Sequence, residues 1–300
     1  MWVQTVKSGV EMFAYAPDGR RLYVADSAGR VSEWDTAART GRDLFVLNHP
    51  SQWGLFCAAG GRFLVARTFR PVVWDCRDRR EHAVLDINDG TMNPIGSYVL
   101  RPVPGDDTLL YVNHGRGLGM RVWDVARRAY GPSPAWWPRV DPLSWFDVSP
   151  DGRTVALVDS THVRLADLLT GEWVAQVRLL ESGTRAYFSP DGQVLALLVQ
   201  REVWFWNPAT GLAHVEGAIT SVAPNFSVLK AFAFHPTAPL FVALTPDGLP
   251  AVFDRHTHRV QRTFDFRVGK RVNCACFSPD GLTCAIGGSN KRFAVFDVDL

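Results

Sequence analysis

Two histidines one residue apart, His256 and His258, with Asp254 just upstream, are the nearest thing in this chain to a metal-ligand cluster. Two imidazoles and one carboxylate in a turn seldom suffice for a metal, so the expectation is a solvated turn. Five cysteines, Cys57, Cys76, Cys274, Cys276 and Cys284, lack metal-type spacing. Cys274 and Cys276 alternate within one expected strand and so face the same side, with Cys284 across a hairpin. A Cys276 to Cys284 bridge is geometrically conceivable, but small buried thiols are the preferred reading. Gly115-Arg116-Gly117-Leu118-Gly119 is glycine-rich without phosphate-loop spacing and reads as a hairpin loop. No G-x-S-x-G, H-E-x-x-H or G-x-x-x-x-G-K-[ST] occurs, so no catalytic residue and no cofactor is assigned.

The positions of these groups follow from a repeat. An acid or amide closes a short strand seven times: Asp35, Asp75, Asp124, Asp167, Asn207, Asp254 and Asp297, spaced 40 to 49 residues apart. Each is preceded by a strand, a turn, a second strand and another turn. In the first copy Phe13-Ala14-Tyr15-Ala16 leads into Pro17-Asp18-Gly19, where proline presets φ, aspartate bonds its own backbone and glycine accepts positive φ. The same turn recurs at Ser149–Gly152, Ser189–Gly192 and Ser278–Gly281. It decays to Ala58–Gly61 in copy two, is expected to lengthen to Arg101–Asp107 in copy three, and becomes His235–Ala238 in copy six. Thr40-Gly41, Thr170-Gly171 and Thr210-Gly211 read as one recurring step into the fourth strand.

Each unit is therefore a four-stranded antiparallel meander, and the chain is all-β. The third strands end Trp34-Asp35, Trp74-Asp75, Trp123-Asp124, Ala166-Asp167, Trp206-Asn207, Phe253-Asp254 and Phe296-Asp297. This resembles the WD-repeat β-propeller family, and some turns resemble the YVTN-type repeats of prokaryotes. The resemblance implies one seven-bladed propeller domain over residues 1–300. It departs from the family in lacking a Gly-His pair before the first strand, so the blades are expected to lean on aromatic packing instead of that buried network. The last copy has only three strands, while Trp2-Val3-Gln4-Thr5-Val6 alternates like a strand outside any blade. We expect it to complete blade seven and close the ring.

Composition narrows the partners. Thirty-two basic and 30 acidic side chains leave a net charge of +2, too balanced to argue for nucleic acid. Only four of the 32 are lysines, a bias that reads as a GC-rich genome. The N-terminus lacks an apolar leader and the purest apolar run, Val194–Val199, is too short to span a bilayer, so a cytoplasmic monomer away from membranes is expected. Trp136 and Trp137, followed by Pro138, stand apart from the strand pattern and are binding candidates.

In the WD-repeat family interaction scaffolding is the usual role. Partners meet the face made by the loop entering strand one and the turn joining strands two and three. Here that resemblance points to Arg70, Arg116, Arg201 and Arg271, with His114 and His162 on the same turns. Cations outnumber acids there, so the expected partner is a protein with an acidic segment. The alternative is a propeller enzyme, lactonase-like or another hydrolase, with a metal in the central channel.

Overall fold

A computed structural model describes residues 1–47, 54–67, 71–85, 99–114, 119–131, 145–159, 161–178, 185–199, 202–210, 215–220, 231–269 and 271–298. Its strands form seven four-stranded antiparallel sheets, each a meander of sequence neighbours except the last, so the fold is the all-β seven-bladed β-propeller. Two compact units make it up. One contains blades one, two, six and seven, the other blades three, four and five.

Burial grades across each blade. The second strands Phe63–Arg67 and Leu195–Val199 are buried at every residue, as suits their mostly apolar side chains. The fourth strands are mostly exposed, as in Val260–Thr263. In the first unit, strand one of blade one (Val10–Tyr15) packs beside strand one of blade two (Gly54–Ala58) and of blade seven (Val272–Phe277). Phe13, Tyr15, Val24, Phe293 and Val295 fill the space between blades one and seven. In the second unit, Phe146, Leu157, Leu165, Leu197 and Trp206 form a comparable core around blade four.

The repeat acids earn their recurrence at the turn into strand four. Asp35 Oδ1 accepts from the Ala37 and Ala38 N–H groups at 2.9 and 2.7 Å, and Asp75 and Asp167 do the same two and three residues on. Asp124 Oδ1 accepts from Arg127 N and Asn207 Oδ1 from Ala209 N. The fourth residue after the acid then turns left-handed: Arg39, Arg79, Arg128 and His258 have φ of 58°, 52°, 55° and 57°, and Gly171 has 77°. This corrects the expected Thr-Gly alignment. Thr170-Gly171 holds the left-handed corner, whereas Thr40-Gly41 lies inside the fourth strand, Thr40–Val46, two residues later relative to its repeat acid. Gly41 is required there for another reason: a Cβ would sit 2.4 Å from the Trp34 indole.

Two further turns differ from expectation. The first turn of blade three does not lengthen; Arg101–Val103 and Asp106–Asp107 belong to strands Val99–Val103 and Asp106–His114, and only Pro104-Gly105 turns, with Gly105 at φ 80°. In blade six His235 stands where blades four, five and seven carry serine and caps its own turn: Nδ1 accepts from Thr237 N at 3.1 Å and Ala238 N at 2.8 Å, two and three residues on. With Nδ1 accepting, Nε2–H donates to Gly281 O of blade seven at 3.1 Å.

Trp2–Thr5 pairs antiparallel with the third strand of blade seven, Arg292–Asp297, as the sequence led us to expect, with Trp2 opposite Val295 and Thr5 opposite Arg292. The Met1 ammonium donates to Asp297 Oδ2 at 3.1 Å. Thus the residue that closes the third strand of blade seven also receives the chain start. Trp2 also meets Phe293 edge-on at 5.4 Å and leans on Trp34 at 6.3 Å.

Arginines pair with the second-turn aspartates of blades one and four. Asp26, in the second turn of blade one, accepts from Arg30 Nε at 3.1 Å, and Asp159, its counterpart in blade four, accepts from Arg164. Burial opposes the Asp159 charge, but Thr161 and His162 donors with Arg164 outweigh it and hold its carboxyl below the usual range.

Candidate functional site

Of the residues proposed for partner contact, Arg271 is exposed at the entrance to strand one of blade seven. Its carbonyl accepts from Ser289 N at 2.9 Å, so the entry segment and the turn joining strands two and three lie against each other. That turn carries Lys291, held left-handed at φ 65°, and leads into Arg292. Asn290 Nδ2 donates to Arg267 O and brings a further exposed arginine alongside. Lys291 O accepts from Val6 N at 2.8 Å, so the end of the N-terminal strand joins the same region. The result is a basic end on blade seven, formed by Arg267, Arg271, Lys291 and Arg292, with Asp265 in the entry loop.

Arg70, Arg116, Arg201, Trp136 and Trp137 lie outside the described residues. His114 is the last residue of strand two of blade three, not a turn residue, and its side chain is likewise outside the description. His162 opens strand three of blade four rather than sitting in the turn. Its Nδ1 lies 2.8 Å from Thr161 Oγ1 and its backbone N–H donates to Asp159 at 2.7 Å, which ties it into the turn capped by that carboxylate.

The His256–His258 turn is organised by Asp254, whose Oδ1 accepts from His256 N, Thr257 N and Thr257 Oγ1. These donors, the Thr257 N–H foremost, hold the Asp254 carboxyl below its ordinary range. The carboxylate is thus spent on the backbone. Among the described residues no group of three histidines, cysteines or acids is placed to hold a metal.

None of the five cysteines is bridged to another. Burial pushes Cys276 up to about 11 and raises Cys284 well above the ordinary thiol value, which keeps both protonated and poorly nucleophilic.

The second unit contains a buried pair the sequence did not reveal. Arg101 Nε donates to Asp147 Oδ1 at 2.7 Å, and Phe188 N donates to Asp147 Oδ2 at 2.9 Å, so the first strands of blades three, four and five share one carboxylate. Arg101 lies 4.5 Å and Arg185 5.0 Å from the Trp145 ring centre, and Trp145 Nε1 donates to Ala186 O. Burial raises the Asp147 carboxyl despite Arg101 and the backbone donor. With both oxygens engaged, this carboxylate works as a cross-brace between blades. No local motif marks it, because Arg101 and Asp147 are 46 residues apart.

No family model matches the chain. Among the described residues no helix is long and apolar enough to cross a membrane.

Proposed function

We propose that this chain is a WD-repeat-type interaction scaffold that docks an acidic segment of a partner protein at the basic end of blade seven. The observation that carries the reading is the gathering of Arg267, Arg271, Lys291 and Arg292 by backbone contacts between two separate loops. Arginine there suits bidentate pairing with carboxylates, and the frame beneath it is fixed by sheet hydrogen bonds, so little order must be imposed on binding. The WD-repeat assignment rests on the seven repeat acids: six cap the third-to-fourth turn and the seventh binds the chain start.

A fluorescein-labelled glutamate-rich peptide tests this reading. It should bind the wild-type chain at low salt, release as ionic strength rises, and bind the double variant Arg271→Glu, Lys291→Glu at least tenfold more weakly. Equal anisotropy curves for the two proteins would remove the acidic-partner reading.

A further inference from the structure

A cavity of about 290 Å³ lies in the first unit, between the end of the N-terminal strand and blade one. Its apolar surface comes from Val6, Val24 and Trp34, and its polar surface from Lys7, Asp26, Arg30, Ser32 and Asp43 among others. That volume is roughly twice that of an apolar cavity known to hold benzene and near the lower end of small-molecule pockets.

The hydrogen-bonding capacity around this space is unevenly spent. Asp26 is buried, and its carboxylate already accepts from Ala28 N at 2.9 Å, Arg30 N at 3.0 Å and Arg30 Nε at 3.1 Å. Ser32 Oγ accepts from Trp34 Nε1 at 2.9 Å and reaches Val24 O at 3.4 Å, so hydroxyl and indole are also satisfied. The cations are not. Arg30 commits Nε to Asp26, while its two terminal nitrogens have no partner among the described residues. Lys7 Nζ makes one bond, to Asp43 at 2.9 Å across the exposed mouth. The unspent donors therefore belong to a guanidinium and an ammonium, in a cavity that Val6, Val24 and Trp34 also line.

We propose that this cavity binds a small organic carboxylate, its anionic head on Arg30 and Lys7 and its compact apolar body against Val6, Val24 and Trp34. The guanidinium fork matches a carboxylate, and a head group there leaves the Asp26 pairing intact. Because the N-terminal strand supplies one wall and blade one the other, an occupant clamps the two together. Binding only to the folded chain then raises its unfolding temperature. This site is separate from the basic end of blade seven and stands whether or not an acidic peptide docks there.

The test uses 3-phenylpropionate and its neutral amide, 3-phenylpropanamide, titrated into the full chain by calorimetry, with thermal unfolding in parallel. The carboxylate should bind saturably below about 10 mM and raise the melting temperature. The amide should bind at least tenfold more weakly, as should the carboxylate to Arg30→Gln and to Lys7→Gln. Lys7 is exposed, so its variant tests the head-group contact without a folding penalty. Absence of saturable binding, equal affinity for acid and amide, or undiminished binding by both variants would overturn the proposal.

Discussion

Blades four and seven are built from nearly the same sentence of sequence and are finished differently. Both open with a Ser-Pro-Asp-Gly turn in which the serine hydroxyl donates to the aspartate and accepts the N–H five residues on. Blade four then runs on through Asp167 and the left-handed Gly171 into its own fourth strand, Trp173–Arg178. Blade seven borrows its fourth strand from the chain start, and Asp297 accepts from the Met1 ammonium. Their first turns also have different neighbours: a Cβ on Gly152 would meet Pro104 at 3.7 Å, whereas Gly281 O accepts from His235 Nε2. One blade template thus tolerates exchange of a continuous chain for a distant one, and of a neutral contact for a titratable one. The exchange makes blade seven sensitive to changes that blade four should ignore.

The largest expected effect comes from removing residues 1–7. Blade seven then loses a strand and the Trp2 contacts with Phe293 and Trp34, a loss of several kcal/mol that should lower the melting temperature on the order of 10 °C. A differential scan superimposable on that of the intact chain would show that blade seven does not depend on its borrowed strand.

A smaller effect concerns pH. Burial lowers the His235 pKa below its ordinary value, only partly offset by the bond to Gly281. The folded state therefore favours the neutral imidazole. Above the unfolded-state value near 6.5 this stability is fully present, and it is lost as pH falls toward the depressed folded value, because the unfolded chain takes up the proton more readily. Protonation would also remove the Nδ1 acceptor for Thr237 and Ala238. His235→Asn should cost about 1 kcal/mol at neutral pH and flatten the acid-side decline in urea unfolding. A decline between pH 7 and 5 that is identical in the variant would assign the proton to another group.

The smallest effect belongs to Asp297→Asn. Its partner ammonium is exposed and the carboxylate side chain is 64% exposed, so the pair should contribute no more than about 1 kcal/mol and weaken with salt. A loss of stability comparable to the truncation would show that the ammonium contact, rather than the strand and Trp2, holds the chain start.

Much of this architecture was readable in advance because its signals are local. Pro-Asp-Gly turns, alternating apolar strands and a recurring acid each act within a few residues, and the borrowed strand followed from one missing strand and one surplus one. Legibility failed where side chains took polar contacts that their type does not announce. His235 caps its turn with an imidazole from the position that serine holds in blades four, five and seven, and Arg30 and Arg164 engage turn aspartates four and five residues upstream. Residues far apart in the chain were harder still: nothing near Arg101 announces Asp147, and nothing near Lys7 announces Arg30 or Trp34.

By itself, then, the sequence determined the blade: its strands, turns and count, because backbone hydrogen bonding and φ preferences are decided among neighbours. Tertiary structure decided which polar groups were spent and which were left over. The satisfied Asp26, the unspent Arg30 and the four cations collected on blade seven depend on distances between loops, and only the packed chain sets those distances.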